Sequence, residues 1–78
     1  LAIQGLLQAA SLARAAKDAA AEGRHLGNVA LTYHRMKQPE EALNYFREAL
    51  RLARLENDRL TEDGILGNMG NILREMGR

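Results

Sequence analysis

Leu26-Gly27-Asn28 returns 40 residues later as Leu66-Gly67-Asn68. The agreement runs beyond the tripeptide. Glu22 matches Glu62 and Met36 matches Met76, and the same shift carries Ala2, Ala9, Leu12, Ala13, Arg14 and Asp18 onto Ala42, Ala49, Leu52, Ala53, Arg54 and Asp58. A fixed period of roughly 20 to 50 residues is the mark of a stacked-repeat protein. The repeat therefore decides the fold class, and everything else is read against it.

Working outward from the tripeptide, residues 19–36 read as a helix whose inward stripe is Leu26, Val29, Ala30 and Tyr33, at three- and four-residue steps. Lys37-Gln38-Pro39 ends it, because Pro39 cannot continue a helix and holds Gln38 out of the helical region. Pro39 then opens a helix over 39–56, with Glu40 and Glu41 in the first turn, where the helix dipole favours them. Its inward residues are Ala42, Leu43, Phe46, Ala49, Leu50 and Ala53. Upstream, residues 1–16 read as a helix with Ala2, Ile3, Leu6, Ala9, Ala10 and Ala13 on one face. Lys17-Asp18 marks a turn, with Asp18 as the N-cap of the following helix. Downstream, a helix over about 59–76 carries Leu66, Met69, Gly70 and Leu73 in the register of the second helix, and Gly77 is a natural stop. The short link between the second and third helices makes them antiparallel. Strand-type alternation is absent.

The chain has 78 residues, no cysteine and a net charge of +1. One small domain is the upper bound, with a modest core and no disulfide or thiolate metal site to supplement it. The interspersed charges set up no long-range field for nucleic acid or anionic lipid. The apolar runs are too short to span a bilayer. No membrane or nucleic-acid partner is expected, and the lack of cysteine suits a reducing compartment, here the cytoplasm. The chain opens without Met and within a repeat, as an excised piece of a longer protein would.

Counted from Gly23, residues Leu26, Val29, Ala30, Tyr33, Ala42, Phe46 and Ala49 fall on the signature positions of the tetratricopeptide repeat, which this sequence resembles along its whole length. Leu66, Met69, Gly70 and Leu73 continue the pattern, and Ala2, Leu6 and Ala9 supply it for the repeat before. The resemblance implies an all-α fold of antiparallel helix-turn-helix repeats, stacked as a fragment of a right-handed superhelix. Residues 1–18 would be helix B of a preceding repeat, 19–58 one complete A–B repeat, and 59–78 helix A of a following one. The period is longer than the family's usual one, and Arg54 stands where a proline normally closes helix B. That longer variant, with Leu-Gly-Asn in helix A, is similar to the repeats of Pins/LGN-type scaffold proteins.

The family takes its ligands on the concave face lined by A helices, and the resemblance places Arg24, Gly27, Asn28, Leu31, His34 and Arg35 there from the second helix. From the fourth it places Gly64, Gly67, Asn68, Asn71, Arg74 and Glu75. Gly27 and Gly67 stand inside helices, at a cost of about 1 kcal/mol each relative to alanine. Either they leave room for a peptide backbone, or neighbouring helices need the space, or the repeat carries its consensus. Asn28 and Asn68 would stand about 10 Å apart, one helix diameter, where their carboxamides could hold an extended main chain; the alternative is asparagine that bridges helices or meets solvent. Arg24, Arg35 and Arg74 suit the carboxylates of an acidic peptide. Gly27 and Leu31 replace the Lys and Asn of the family's C-terminal carboxylate clamp, so that mode is not expected. His25 and His34 are nine residues apart on one helix and make no metal pair. Arg47, Arg51 and Arg54 form a basic stripe read as a solvated outer face, and Met36, Met69 and Met76 are read as packing. No nucleophile, phosphate loop or catalytic pair is present, so no catalytic residue, metal or cofactor is expected. The expected function is a scaffold module for protein–protein interaction, with a peptide of acidic character as ligand. The alternative is a structural repeat of a larger signalling protein, self-associating through the apolar stripes left open at its two ends.

Overall fold

The structure, a computed structural model, describes residues 2–77, and of Ala2 its backbone alone. Four helices follow one another: α1 (Ala2–Ala15), α2 (Ala19–Arg35), α3 (Pro39–Leu55) and α4 (Arg59–Glu75). The described residues contain no strand, so the fold is all-α, built of antiparallel helix-turn-helix units. Each expected helix is present within a residue or two at its ends. Leu1 and the side chain of Ala2, both assigned to the first helix, lie outside the described residues.

Each reversal takes three residues, and the same backbone device makes it every time. The residue two past the end of each helix adopts the left-handed region: Lys17 (φ 58°), Lys37 (φ 61°), Asn57 (φ 55°) and Gly77 (φ 77°). At the three internal turns this brings the next N–H back under the helix. Asp18 donates to the carbonyl of Ala13 at 2.8 Å, Gln38 to Tyr33 at 2.9 Å and Asp58 to Ala53 at 2.8 Å. The last carbonyls of each helix are thereby satisfied. The aspartate that completes one helix also begins the next: Asp18 accepts from the Ala21 N–H at 3.1 Å, and Asp58 from the Thr61 N–H at 3.2 Å and the Thr61 hydroxyl at 2.6 Å. Gln38 makes no such side-chain bond, but Pro39 at the first helical position has no N–H to satisfy.

The helices form a slab with extents of 38 × 30 × 14 Å, two helices thick. α3 lies at its centre, against α2 on one side and α4 on the other, and α1 packs on the far side of α2. Phe46, Leu43, Ile72 and Val29 are the largest fully buried side chains. Ala30, Ala42 and Ala49 are also fully buried, and their size lets the axes of α2 and α3 approach around Phe46. Gly23 extends this contact: a Cβ built there would stand 3.4 Å from that of Leu52. The Tyr33 and Tyr45 rings stack across the same pair of helices, with centroids 5.5 Å apart and planes within 9°.

Two expectations about packing are corrected. In α4 the buried residues are Ile65 and Ile72, while Leu66 is 42% exposed and Gly70 is open. α4 packs chiefly on α3, so it buries the face turned to α3 rather than the full stripe of α2, which has helices on both sides. Met36 is 51% exposed at the α2 C-cap, outside the core, whereas Met69 and Met76 do lie against the core.

Two predictions follow from the turns. A left-handed backbone costs a non-glycine residue about 1 kcal/mol or more, so Lys37→Gly raises stability by about that amount in urea unfolding, and Asn57→Gly gains less. Asp58 is held below the usual carboxylate range, first by the Thr61 hydroxyl and then by the Thr61 N–H. A pKa depressed in the folded state gives stability that is full above about pH 4 and is lost as pH falls through the lowered folded value. Thr61→Val removes the first of those bonds, so its melting temperature falls below that of the parent at pH 7, and the gap closes toward pH 2.

Candidate functional site

α2 and α4 run side by side over α3, and the trough between them is an open concavity of about 280 Å³. Phe46 of α3, itself almost wholly buried, forms its floor together with Ile65 of α4. From α2 the wall consists of Gly23, Arg24, Gly27, Asn28 and Leu31, at the three- and four-residue steps of one helix face. From α4 it consists of Thr61, Gly64, Ile65 and Asn68. Six expected positions thus share one groove: Arg24, Gly27, Asn28, Leu31, Gly64 and Asn68.

The glycines decide what the groove can accept. A Cβ at Gly27 would meet nothing within 4 Å, and the same holds at Gly64 and Gly67. No neighbouring helix in this structure therefore requires glycine at these places, in contrast to Gly23 against Leu52. The walls are low where a ligand would lie, and both asparagine carboxamides stand beside that low ground. Arg24 is the charged residue of the lining, and it also contributes to holding the Asp58 carboxyl low.

The remaining expected residues lie elsewhere. His34 sits at the other end of α2, where its Nε2 is 2.8 Å from Glu75 Oε1 of α4. This pair spans the two helices beyond the groove, above a second concavity lined by Lys37, Pro39 and Met76. Arg35 is exposed at the end of α2 and is not part of the groove lining. Asn71 accepts a hydrogen bond from Arg74 on the outer surface of α4, and Gly67 is exposed outside the groove lining. The basic stripe of α3 is engaged within the protein: Arg47 donates to Asn44, Arg51 to Glu48, and Arg54 to Glu62 at 2.9 Å. The Arg51 guanidinium holds the Glu48 carboxyl below its ordinary value, chiefly through that hydrogen bond.

Gly23, Phe46, Thr61 and Ile65 were not expected in the lining. Phe46 was read as core, which it also is. Ile65 stands at the counterpart of His25, so the repeat alignment gave no reason to place an apolar floor there.

With this geometry in view, residues 26–54 match the family model of the tetratricopeptide repeat. The match runs from the middle of α2 through α3 and supports a tetratricopeptide repeat in that segment, a type of unit that serves as a protein–protein interaction module. No match was found among curated proteins or among solved structures. No helix among the described residues is long and apolar enough to cross a membrane, and no group of three or more His, Cys, Asp or Glu among them is placed to hold a metal ion.

The open glycines give a direct test. Gly27→Ala and Gly64→Ala each raise stability by about 1 kcal/mol in denaturant unfolding, because helix propensity improves with nothing to clash. Gly23→Ala gains less, since its methyl group presses on Leu52.

Proposed function

We propose that this chain is a peptide-binding scaffold module in which α2 and α4, as A-type helices of successive repeats, hold a segment of a partner protein in the groove between them. In this reading residues 1–18 close a preceding repeat, 19–58 form a complete one, and 59–78 begin the next. The left-handed turn residues at 17, 37, 57 and 77 support a 40-residue unit made of two equal halves. The observation that carries the proposal is the pairing of unneeded glycines with asparagines: Gly27 and Gly64 leave the groove wall open to a main chain, and Asn28 and Asn68 stand beside it with both donors and acceptors.

An extended segment suits such a trough. Its N–H and C=O groups need partners, and carboxamides supply both kinds from one side chain. Its side chains would meet Leu31, Ile65 and Phe46 in the middle and Arg24 at one end. Arg24 favours an acidic partner, through a charge-assisted bond with a carboxylate. The likeness to Pins/LGN-type scaffolds agrees with this mode of holding main chain and with a place in cytoplasmic signalling. Arg35, Gly67, Asn71 and Arg74 would contact the ligand only where it continues past the groove.

Titration with short acidic peptides by fluorescence anisotropy tests the proposal. A net hydrogen bond contributes about 1 kcal/mol, so Asn28→Ala and Asn68→Ala each weaken binding roughly five- to tenfold. Gly64→Leu, which fills the groove without straining the helix, abolishes binding while the melting temperature rises. Affinity unchanged in both asparagine variants would remove the assigned role.

A further inference from the structure

The groove between α2 and α4 is divided at intervals that an extended chain can match. We infer that it reads a short segment of a partner protein by register: an acidic residue at Arg24, then apolar residues two and four positions further on, with the residues between them turned to solvent. The inference rests on the peptide-binding reading and adds the sequence pattern of the ligand to it.

The spacing of the walls gives the argument. Arg24, Asn28 and Leu31 stand on the lining face of α2 at four- and three-residue steps, about 6 Å and about 4.5 Å along the axis at a rise of roughly 1.5 Å per residue. The opposite wall carries Thr61, Gly64 and Asn68, which the 40-residue shift pairs with Ala21, Arg24 and Asn28. Both walls are thus marked in the same steps. An extended chain advances about 3.3 Å per residue and turns alternate side chains to one side, so its inward residues fall roughly 6.6 Å apart. One turn of the wall therefore meets two residues of the segment.

Each level offers a different chemistry. At the first, the Arg24 guanidinium is exposed, and no hydrogen bond or ion pair among the described residues holds it. Arg47, Arg51, Arg54 and Arg74 each donate to a side chain of the protein. The Asp58 carboxyl, held low first by Thr61 and to a lesser degree by Arg24, is engaged by the Thr61 hydroxyl and N–H, so it leaves the guanidinium free for another acid. At the second level neither Gly27 nor Gly64 raises the wall, and an inward side chain reaches the apolar floor of Phe46 and Ile65. Here the carboxamides of Asn28 and Asn68 make no hydrogen bond among the described residues, whereas Asn44 and Asn71, outside the groove, each accept from an arginine. At the third level Leu31 presents a partly buried apolar side chain.

One more step along α2 the trough is crossed. His34 Nε2 lies 2.8 Å from Glu75 Oε1 and ties the two walls together. From Arg24 to this tie is about 15 Å of helix, the length of four or five extended residues. The register is therefore bounded at one end by a free cation and at the other by a side-chain bridge, with the apolar floor between.

Fluorescence anisotropy with labelled, C-terminally amidated pentapeptides tests the pattern. Asp-Ser-Leu-Ser-Leu and Asp-Leu-Ser-Leu-Ser have one composition, but in the second the acid and the leucines face opposite sides. Each is also made in reverse order, and the tighter direction of each pair is compared. The first pattern is expected to bind about tenfold more tightly, since the second leaves either its leucines or its acid outside the groove. In Arg24→Glu, an exposed position whose fold circular dichroism verifies, Lys-Ser-Leu-Ser-Leu overtakes Asp-Ser-Leu-Ser-Leu. Equal affinity for the two patterns overturns the inference; if Gly64→Leu still abolishes both, the groove itself stands as a peptide site. A preference for Asp that survives in Arg24→Glu overturns the acidic anchor. If none of the peptides binds up to about 1 mM, the inference and the peptide-binding reading fall together.

Discussion

The three-residue reversal governs this fold. A helix ends, one residue turns left-handed, the next N–H folds back, and the residue that supplies it caps the helix that follows. Nothing in that sequence of events leaves slack. With three residues between helices, the partners must lie antiparallel and in contact, and their relative register is fixed before any side chain packs. Lysine occupies the strained position twice. It does so against its own conformational preference, which means that the hydrogen bonds beneath it and the packing beyond it outweigh the strain.

On that frame the core needs only small residues and one ring. Ala30, Ala42 and Ala49 bring two axes together, Phe46 fills what they leave, and Gly23 carries the approach to the end of α2. No polar or charged residue among those described is buried. The interior thus discriminates by shape alone, and polar chemistry is kept for the groove and the outer faces. The arginines of α3 illustrate the division: each finds a partner within the protein, one of them across a helix boundary at Glu62.

Much of this was legible in the sequence. The tripeptide recurrence at Leu26 and Leu66, with Asp18 and Asp58 in step, located all four helices. Pro39 fixed one boundary and Gly77 another. What escaped was whatever the repeat does not duplicate. Ile65 and Ile72 correspond to His25 and Thr32, so aligning the copies drew attention to Leu66 and Gly70, on a face that has no neighbour here. The pair formed by His34 and Glu75 is 41 residues apart, one more than the period; a search for hydrogen-bonding partners one residue out of step would have found it. The left-handed state of Lys37 has no signature in its side chain, and only the analogy with Asn57 and Gly77 hints at it. The groove itself was approached from the right residues, since one face of α2 carries Arg24, Gly27, Asn28 and Leu31, but its floor belongs to a third helix that periodicity assigned entirely to the interior.

α3 holds α2 through a longer and closer contact than it holds α4. Among the described residues the seam on the α4 side has no ring stack and no glycine approach; its Arg54–Glu62 ion pair, and the hydrogen bond between Glu75 and His34 of α2, lie at partly exposed extremities. The α4 side of α3 is therefore the less extensively packed of its two seams, with Ile65 and Ile72 as its buried anchors. Ile65 also stands at the bottom of the trough, so the wall that α4 supplies is anchored through the weaker of the two seams, and the width of the trough depends on how firmly that seam holds.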